Sequence, residues 1–117
     1  MNPTGRVVVL EEDQQIRALL GRWLSEIGCE AATHPPAAGA SPVLVIADVR
    51  DPRTAEVIIR PLREYGVAIL VTSARFRHGL AGSAAAARRL GVNAVLPKPF
   101  TRAEFLAAVR ESMEGSD

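Results

Sequence analysis

Short runs of apolar residues recur along the chain and predict five β-strands. Four of them, residues 6–10, 43–47, 67–71 and 93–96, are rich in β-branched side chains, and residues 29–33 form a weaker fifth run. The four runs do not alternate cleanly between polar and apolar residues, which is typical of strands covered by helices on both faces. The pattern therefore predicts a parallel sheet, with residues 29–33 at its edge.

Between these runs, apolar residues recur at helical spacing and predict three amphipathic helices, residues 14–27, 55–65 and 80–90. A fourth helix is predicted to open at Thr101, because a glutamate three residues later completes a capping box. Pro61 lies within the second helix and is expected to kink or interrupt it, since proline has no amide hydrogen for the helical hydrogen bond.

Glycine follows each of the first three helices, at Gly28, Gly66 and Gly91. Because glycine readily adopts the left-handed conformation that ends many helices, these junctions indicate repeated helix-then-strand units. Residues 34–42 join the second and third strands, but they hold three prolines and are too few for an ordinary parallel crossover, so the helix there is expected to be truncated or absent. The elements together predict an α/β fold with a doubly wound parallel sheet, which binds ligands at the carboxyl ends of its strands.

Composition and charge narrow the classes of function. The 117 residues suffice for a single domain, expected to span residues 1–117 with a core at about 6–113 and no output domain. The net charge of +1 does not favour nucleic acid or a membrane surface as a direct partner. Cys29 is the only cysteine, so an internal disulfide is excluded and a small buried hydrophobe is expected. The apolar run near the N-terminus is too short for a signal peptide, so a cytoplasmic location is expected.

Charged and hydroxyl side chains follow the predicted strands at the points where the strands end. They are Glu11, Glu12 and Asp13 after the first strand, Asp48 after the third, Thr72 and Ser73 after the fourth, and Lys98 after the fifth. Clustered carboxylates attract a cation, and oxygen ligands from neighbouring strands suit Mg²⁺. A carboxylate beside that ion can act as a nucleophile towards phosphorus, while an ammonium and a hydroxyl bind phosphoryl oxygens. The strand ends therefore indicate phosphoryl transfer, although the acids after the first strand are also explained by the dipole of the helix that follows.

These residues occur in segments that resemble the receiver domains of two-component response regulators. In chain order the segments read VVVLEEDQQIRALL, VLVIADVRDP, ILVTS and AVLPKPF, and the resemblance extends from Arg6 to about Val109. It implies the flavodoxin-like strand order 2-1-3-4-5 and a cis peptide bond between Lys98 and Pro99.

The resemblance also implies a role for each residue at the strand ends. Asp48 would be the phosphoacceptor, with Thr72 and Lys98 contacting the phosphoryl group. Mg²⁺ would be bound by Glu11, Glu12, Asp48 and the backbone carbonyl of Arg50. The phosphoryl group would come from a histidine kinase or a histidine phosphotransfer protein, and only self-phosphorylation and self-dephosphorylation are expected as chemistry. The chain would signal by changing the surface of its last two strands and last two helices, which would bind a downstream protein or a second copy of the chain.

Three positions depart from the pattern of that family, so other hypotheses of function remain beside the phosphoacceptor receiver. Glu12 stands where the family usually has aspartate, Arg50 places a cation beside the metal position, and Val95 replaces an aromatic that swings inward on activation. The second hypothesis is accordingly a pseudo-receiver, a phosphorylation-independent interaction module with the same fold. A flavin- or nucleotide-binding enzyme is a third hypothesis, which is disfavoured because the acidic loop after the first strand lacks glycines and repels phosphate.

Overall fold

Strands and helices alternate along most of the chain in the computed structural model, which describes residues 5–33, 42–74 and 80–114. Within these ranges there are five strands, four α-helices and one short 3₁₀ turn. The strands are β1 (Gly5–Leu10), β2 (Cys29–Ala32), β3 (Leu44–Asp48), β4 (Ala68–Ser73) and β5 (Ala94–Pro97). The helices are α1 (Gln14–Glu26), α2 (Ala55–Arg63), α3 (Leu80–Leu90) and α4 (Arg102–Glu114), and the 3₁₀ turn is Pro52–Thr54.

The five strands form one sheet in the order β2-β1-β3-β4-β5, and every neighbouring pair is parallel. This confirms the predicted doubly wound sheet, its strand order and the edge position of residues 29–33. The strand order reverses between β1 and β3, so the carboxyl ends of these two central strands lie side by side at the point where doubly wound folds bind ligands.

Alternating side chains of the strands face two separate cores. Val7 and Val9 of β1 pack into one core with α1 and α4, where Phe105 is completely buried. Val8 lies on the opposite face, in a second core with residues from α2 and α3. Because both faces are covered, the strands carry apolar residues at successive positions, which explains why they lack polar alternation. None of the helices in the described ranges is long and apolar enough to cross a bilayer.

The helix ends follow the predicted signals. Asp13 caps α1, where its Oδ1 accepts from the amide nitrogens of Gln15 and Ile16 at 2.9 and 3.1 Å. At the start of α4, the Thr101 amide donates to Glu104 Oε1 at 2.8 Å and the Glu104 amide donates to the Thr101 hydroxyl at 3.1 Å, which is the predicted capping box. The glycines that follow the first three helices all have positive φ, between 70° and 85°: Gly28, Gly66 and Gly91.

The second helix differs from its prediction. It is predicted over residues 55–65 with a kink or an interruption at Pro61. The structure shows no interruption there, and α2 ends at Arg63. Because Pro61 has no amide hydrogen, the carbonyl oxygen of Val57, four residues earlier, lacks its helical hydrogen-bond donor. Val57 is 77% exposed, so water can donate to this carbonyl in place of the missing amide. A truncated or absent helix is predicted for residues 34–42, and residues 34–41 lie outside the described residues.

Ser112 in α4 offers a test of the core. Its hydroxyl is completely buried and has no hydrogen-bond partner within the described part of the chain. A buried hydroxyl without a partner destabilises the fold, and alanine is the better helix former. We expect Ser112→Ala to raise the free energy of unfolding by about 1 kcal/mol, measured by urea denaturation. Ser25→Ala, on the exposed side of α1, is the matched control and should change it by about 0.5 kcal/mol or less. A Ser112→Ala variant less stable than wild type would contradict this account.

Candidate functional site

The strand register brings the predicted site residues to one edge of the sheet. Asp48 at the end of β3 lies in register with Thr72 in β4. Glu11 directly follows β1, and Lys98 directly follows β5. The Lys98 amide donates to the carbonyl oxygen of Ser73 at 2.9 Å, which attaches the turn after β5 to the end of β4. Four carboxyl-terminal strand ends therefore contribute to a single site.

Lys98 joins two of the predicted acidic residues. Its ammonium Nζ lies 2.6 Å from Glu11 Oε1 and 2.8 Å from Asp48 Oδ1. The side chains of Lys98, Glu11 and Asp48 are 17%, 4% and 11% exposed, so these contacts are largely shielded from water. We call them the inner ion pairs. The Lys98–Pro99 peptide bond is cis, as predicted.

The inner ion pairs change the acidity of Lys98. Burial alone lowers the pKa of the Lys98 ammonium, because a buried charge is poorly solvated. The hydrogen bonds that the ammonium donates to Asp48 and Glu11, together with the attraction of their negative charges, outweigh that effect and raise the pKa of Lys98 above its ordinary value. Lys98 therefore holds its proton and remains a fixed positive charge between the two carboxylates.

A hydroxyl approaches the same carboxylate from β4. Thr72 Oγ1 donates to Asp48 Oδ1 over 3.4 Å, and Thr72 is 1% exposed. This distance is long for a hydrogen bond between oxygens, so the contact is weak. Ser73, the next residue, is also completely buried. Asp48 Oδ1 is thus approached from two sides, by the ammonium of Lys98 and the hydroxyl of Thr72.

The three acidic residues of the loop after β1 make different contacts. Glu11 points into the site, where its Oε2 accepts from the Asp13 amide at 3.3 Å. The guanidinium of Arg17 in α1 donates to the Glu11 backbone carbonyl at 3.0 Å. Asp13 is engaged as the cap of α1, so its carboxylate serves the helix terminus. The helix-cap explanation of the acids therefore holds for Asp13.

The third acid of the loop, Glu12, lies outside the inner ion pairs. Its Oε2 is 2.8 Å from the guanidinium Nη2 of Arg50, and the two side chains are 77% and 73% exposed. We call this contact the outer ion pair. It spans the ends of β1 and β3, the same two strands that supply Glu11 and Asp48. The sequence predicted a role for the backbone carbonyl of Arg50 but not this contact of its side chain.

The donor set at this edge fits a divalent cation in part. Glu11 and Asp48 supply the carboxylate oxygens that Mg²⁺ prefers, and both lie next to the same cation, Lys98. Within the described ranges, however, no three residues among the His, Cys, Asp and Glu side chains are grouped closely enough to hold a metal ion. The predicted ligand Glu12 is engaged with Arg50, so it can join the other two carboxylates only after leaving that guanidinium.

Two further residues singled out by the sequence lie in the core. Cys29 is 4% exposed, and burial raises the pKa of its thiol, so the reactive thiolate is disfavoured. This agrees with its interpretation as a small buried hydrophobe. Val95 in β5 is 6% exposed and packs in the core beneath α2 and α3. The position at which the family has a mobile aromatic is thus occupied here by a small, buried side chain.

No family model and no curated protein matches this sequence, but solved structures do. A response regulator from Thermotoga maritima is 18% identical, with a TM-score of 0.74 over 97% of this chain and 100% of that one. A response regulator receiver protein from Burkholderia phymatum is 24% identical, with a TM-score of 0.72 over 93% of this chain and 94% of that one.

A longer protein also matches. NtrX from Brucella abortus, solved in complex with ADP, is 21% identical with a TM-score of 0.72, and the match covers 97% of this chain and 28% of NtrX. This chain therefore spans less than a third of that protein. At these identities the similarity concerns the fold, and it agrees with the strand order and helix arrangement described above. The chain has the fold of the response regulator receiver domains.

Proposed function

We propose that this chain is the phosphoacceptor receiver of a two-component phosphorelay. In this proposal Asp48 takes a phosphoryl group from the phosphohistidine of a histidine kinase or a histidine phosphotransfer protein. The chain catalyses only the phosphorylation and dephosphorylation of its own aspartate. The phosphorylated form then signals through a protein surface rather than through a product.

The observation that supports this proposal most is the arrangement around Asp48. Its carboxylate lies at the carboxyl end of a central strand, 2.8 Å from the Lys98 ammonium and beside the Thr72 hydroxyl. An ammonium and a hydroxyl that already contact a nucleophile are placed to bind the oxygens of an incoming phosphoryl group. A carboxylate that served only the stability of the fold would not need both donors at a ligand-binding edge.

The chemistry requires one nucleophilic displacement at phosphorus. A carboxylate oxygen of Asp48 forms a bond to phosphorus while the bond from phosphorus to the histidine nitrogen breaks, and the electron pair of that bond remains on the imidazole, which takes up a proton. Attack by Oδ2 would leave Oδ1 in contact with Lys98 and Thr72. Hydrolysis of the resulting acyl phosphate returns the carboxylate and releases inorganic phosphate.

Glu11 and Asp48 are the residues that would hold Mg²⁺, with Glu12 as a third ligand once it is free of Arg50. The ion would neutralise charge on the phosphoryl oxygens during the transfer. This chain's own contribution beside it is the fixed positive charge of Lys98, which lies between the two carboxylates and offsets their mutual repulsion.

We assign the output surface to β4, α3, β5 and α4. A groove of about 630 Å³ runs between the two helices over β5. Its lining is largely apolar and its edges carry opposite charges, Arg88 on α3 and Glu111 on α4. Lys98, which follows β5, connects this surface to Asp48, so a change at the phosphoacceptor can reach the groove through one strand. A downstream protein or a second copy of the chain is the proposed partner.

A pseudo-receiver is the second candidate, and one observation favours it. The outer ion pair keeps Glu12 away from Glu11 and Asp48, and within the described residues these do not form a metal-binding group of three. A chain that had lost phosphoryl chemistry could retain the inner ion pairs because they neutralise buried charge. In that case the groove would bind its partner without regard to Asp48.

The first experiment is intact mass spectrometry after incubation with acetyl phosphate, with and without Mg²⁺. We expect one phosphoryl group per wild-type chain in the presence of Mg²⁺ and none on Asp48→Asn, because the amide is a poor nucleophile. Asp51→Asn is the matched control, since Asp51 lies three positions further along and bonds to the amide of Arg53. It should be labelled like wild type.

Two outcomes would contradict the proposal. Equal labelling of Asp48→Asn would place the acceptor elsewhere. A lack of labelling on wild type, under conditions that label an active receiver in the same solution, would favour the pseudo-receiver. Binding of a partner to the groove that is unchanged in Asp48→Asn would support the same conclusion.

The inner ion pairs predict a stability difference that does not depend on phosphorylation. Lys98→Met leaves two shielded carboxylates without their cation, so we expect the free energy of unfolding to fall by about 2 kcal/mol at neutral pH. Arg102→Met removes a cation from an exposed pair with Glu26 and should cost less than about 1 kcal/mol. Urea denaturation of both variants measures the two losses in free energy of unfolding. Equal losses would show that the inner ion pairs stabilise the fold no more than an exposed ion pair does.

The difference in stability between wild type and Lys98→Met is also expected to depend on pH. The pKa of Lys98 is raised in the folded state, so its stabilisation is complete below the ordinary lysine value of 10.5 and is lost as the pH rises through the higher folded-state value. The difference in stability between wild type and Lys98→Met should therefore be constant from about pH 7 to about pH 10 and shrink above that. Since Lys98 is the only lysine, no other lysine titrates in this range. A difference that grows at alkaline pH would contradict the direction of this shift.

A further inference from the structure

The outer ion pair stands at the entrance to the site. Glu12 follows Glu11 directly, and Arg50 lies two positions beyond Asp48. The guanidinium of Arg50 reaches across from the end of β3 to Glu12 at the end of β1, with 2.8 Å between Nη2 and Oε2. The two ends of this contact are therefore attached to the same backbone segments as the two carboxylates that would hold a divalent cation.

The inner and outer ion pairs differ in how readily they can open. Lys98, Glu11 and Asp48 are mostly shielded, so separating them would leave charges poorly solvated. Arg50 and Glu12 are about three-quarters exposed, and exposed ion pairs contribute little because water solvates both partners when they part. Of the ionic contacts at this edge, the outer ion pair is the one that a small competing cation can break at low cost.

A divalent cation bound by Glu11 and Asp48 would gain a third carboxylate from Glu12. As long as Arg50 holds Glu12, that third ligand is withheld, which agrees with the lack of a three-residue metal group within the described ranges. The positive charge of Arg50 also repels a second cation nearby. Arg50 therefore opposes the ion in two ways, by occupying its ligand and by its own charge.

We propose that Arg50 sets the divalent-cation affinity of this site by competing with the cation for the Glu12 carboxylate. Binding of the ion releases Arg50 into solvent, and loss of the ion allows the outer ion pair to form again. Arg50 is thus a positioning residue that acts through Glu12. The inference rests on the proposed function only in that the ion is taken to bind at Glu11 and Asp48.

Mn²⁺ is a suitable probe, because it takes oxygen ligands as Mg²⁺ does and its free form is counted directly by electron paramagnetic resonance. Titration of the unphosphorylated chain gives the dissociation constant without any phosphodonor, and displacement by Mg²⁺ shows that the two ions share the site. We expect Arg50→Gln to bind Mn²⁺ about 3- to 5-fold more tightly than wild type, the range available from an exposed ion pair. Arg50→Lys keeps the charge and should stay close to wild type.

Arg53→Gln is the matched control. Arg53 is also an exposed arginine of the same loop, and its contact is with Asp51, so the substitution removes the same charge without freeing Glu12. It should change the affinity by less than about 1.5-fold, because an exposed charge at a distance is screened. Added KCl weakens exposed ion pairs, so the ratio between wild type and Arg50→Gln should approach one as the salt concentration rises.

A double-mutant cycle tests whether Arg50 acts through Glu12. In the background of Glu12→Gln, Arg50→Gln should have no more effect than the Arg53→Gln control. Equal Mn²⁺ affinity in wild type and Arg50→Gln, an effect of Arg50→Gln that persists without Glu12, or no binding to either protein would each overturn the inference. A lack of binding to either protein would also count against the Mg²⁺ site of the proposed function. The other two results do not bear on whether Asp48 accepts a phosphoryl group, which the mass measurement decides by itself.

Discussion

The charge of one lysine between two shielded carboxylates is the interaction on which this site depends. Glu11 and Asp48 come from neighbouring central strands, and without a cation they would repel each other at short range in a poorly solvated position. Lys98 removes that repulsion and in doing so fixes the ends of β1, β3 and β5 relative to one another. The position of the candidate nucleophile is therefore a consequence of electrostatics as much as of the sheet.

The choice of lysine at this position has a physical reason. All the other basic residues apart from the histidines are arginines, so the composition of the chain does not explain a single lysine. An ammonium is a compact charge that can lie between two oxygens at 2.6 and 2.8 Å, whereas a guanidinium is broad and planar and favours one carboxylate at a time. In the outer ion pair, the guanidinium of Arg50 contacts one carboxylate, that of Glu12. The two cations of the site thus have different tasks that match their shapes.

Much of the fold was predictable from the sequence, because the signals that define it are local. The apolar runs, the cap at Asp13 and the capping box at Thr101 all act within a few residues, and each predicted element lies within about two residues of its observed position. The sequence did not decide between a kink and an interruption at Pro61, because the effect of a proline depends on the exposure of a carbonyl one turn earlier, which the sequence does not contain. The convergence of Glu11, Asp48 and Lys98 was predictable because parallel strands bring their carboxyl ends to one edge.

The partners of Glu12 and Arg50 were not predicted, although part of the signal was present. Glu12 follows Glu11 directly and Arg50 lies two positions beyond Asp48, so the sequence places opposite charges after the ends of two neighbouring strands. What the sequence lacked was the direction of the Arg50 side chain, which lies in the loop between β3 and the 3₁₀ turn at Pro52–Thr54. Contacts between exposed side chains of different loops are set by such local geometry and carry no periodic pattern.

The bond between Lys98 and Glu11 joins residues 87 positions apart, near opposite ends of the chain. A contact of this kind closes a long loop, so its entropic cost must be offset by the elements that fold in between. A growing polypeptide on the ribosome consequently carries Asp48 for the whole time that β4 and α3 are being made, with no ammonium to neutralise it. The three charged side chains of this edge can therefore meet only after β5 has joined the sheet.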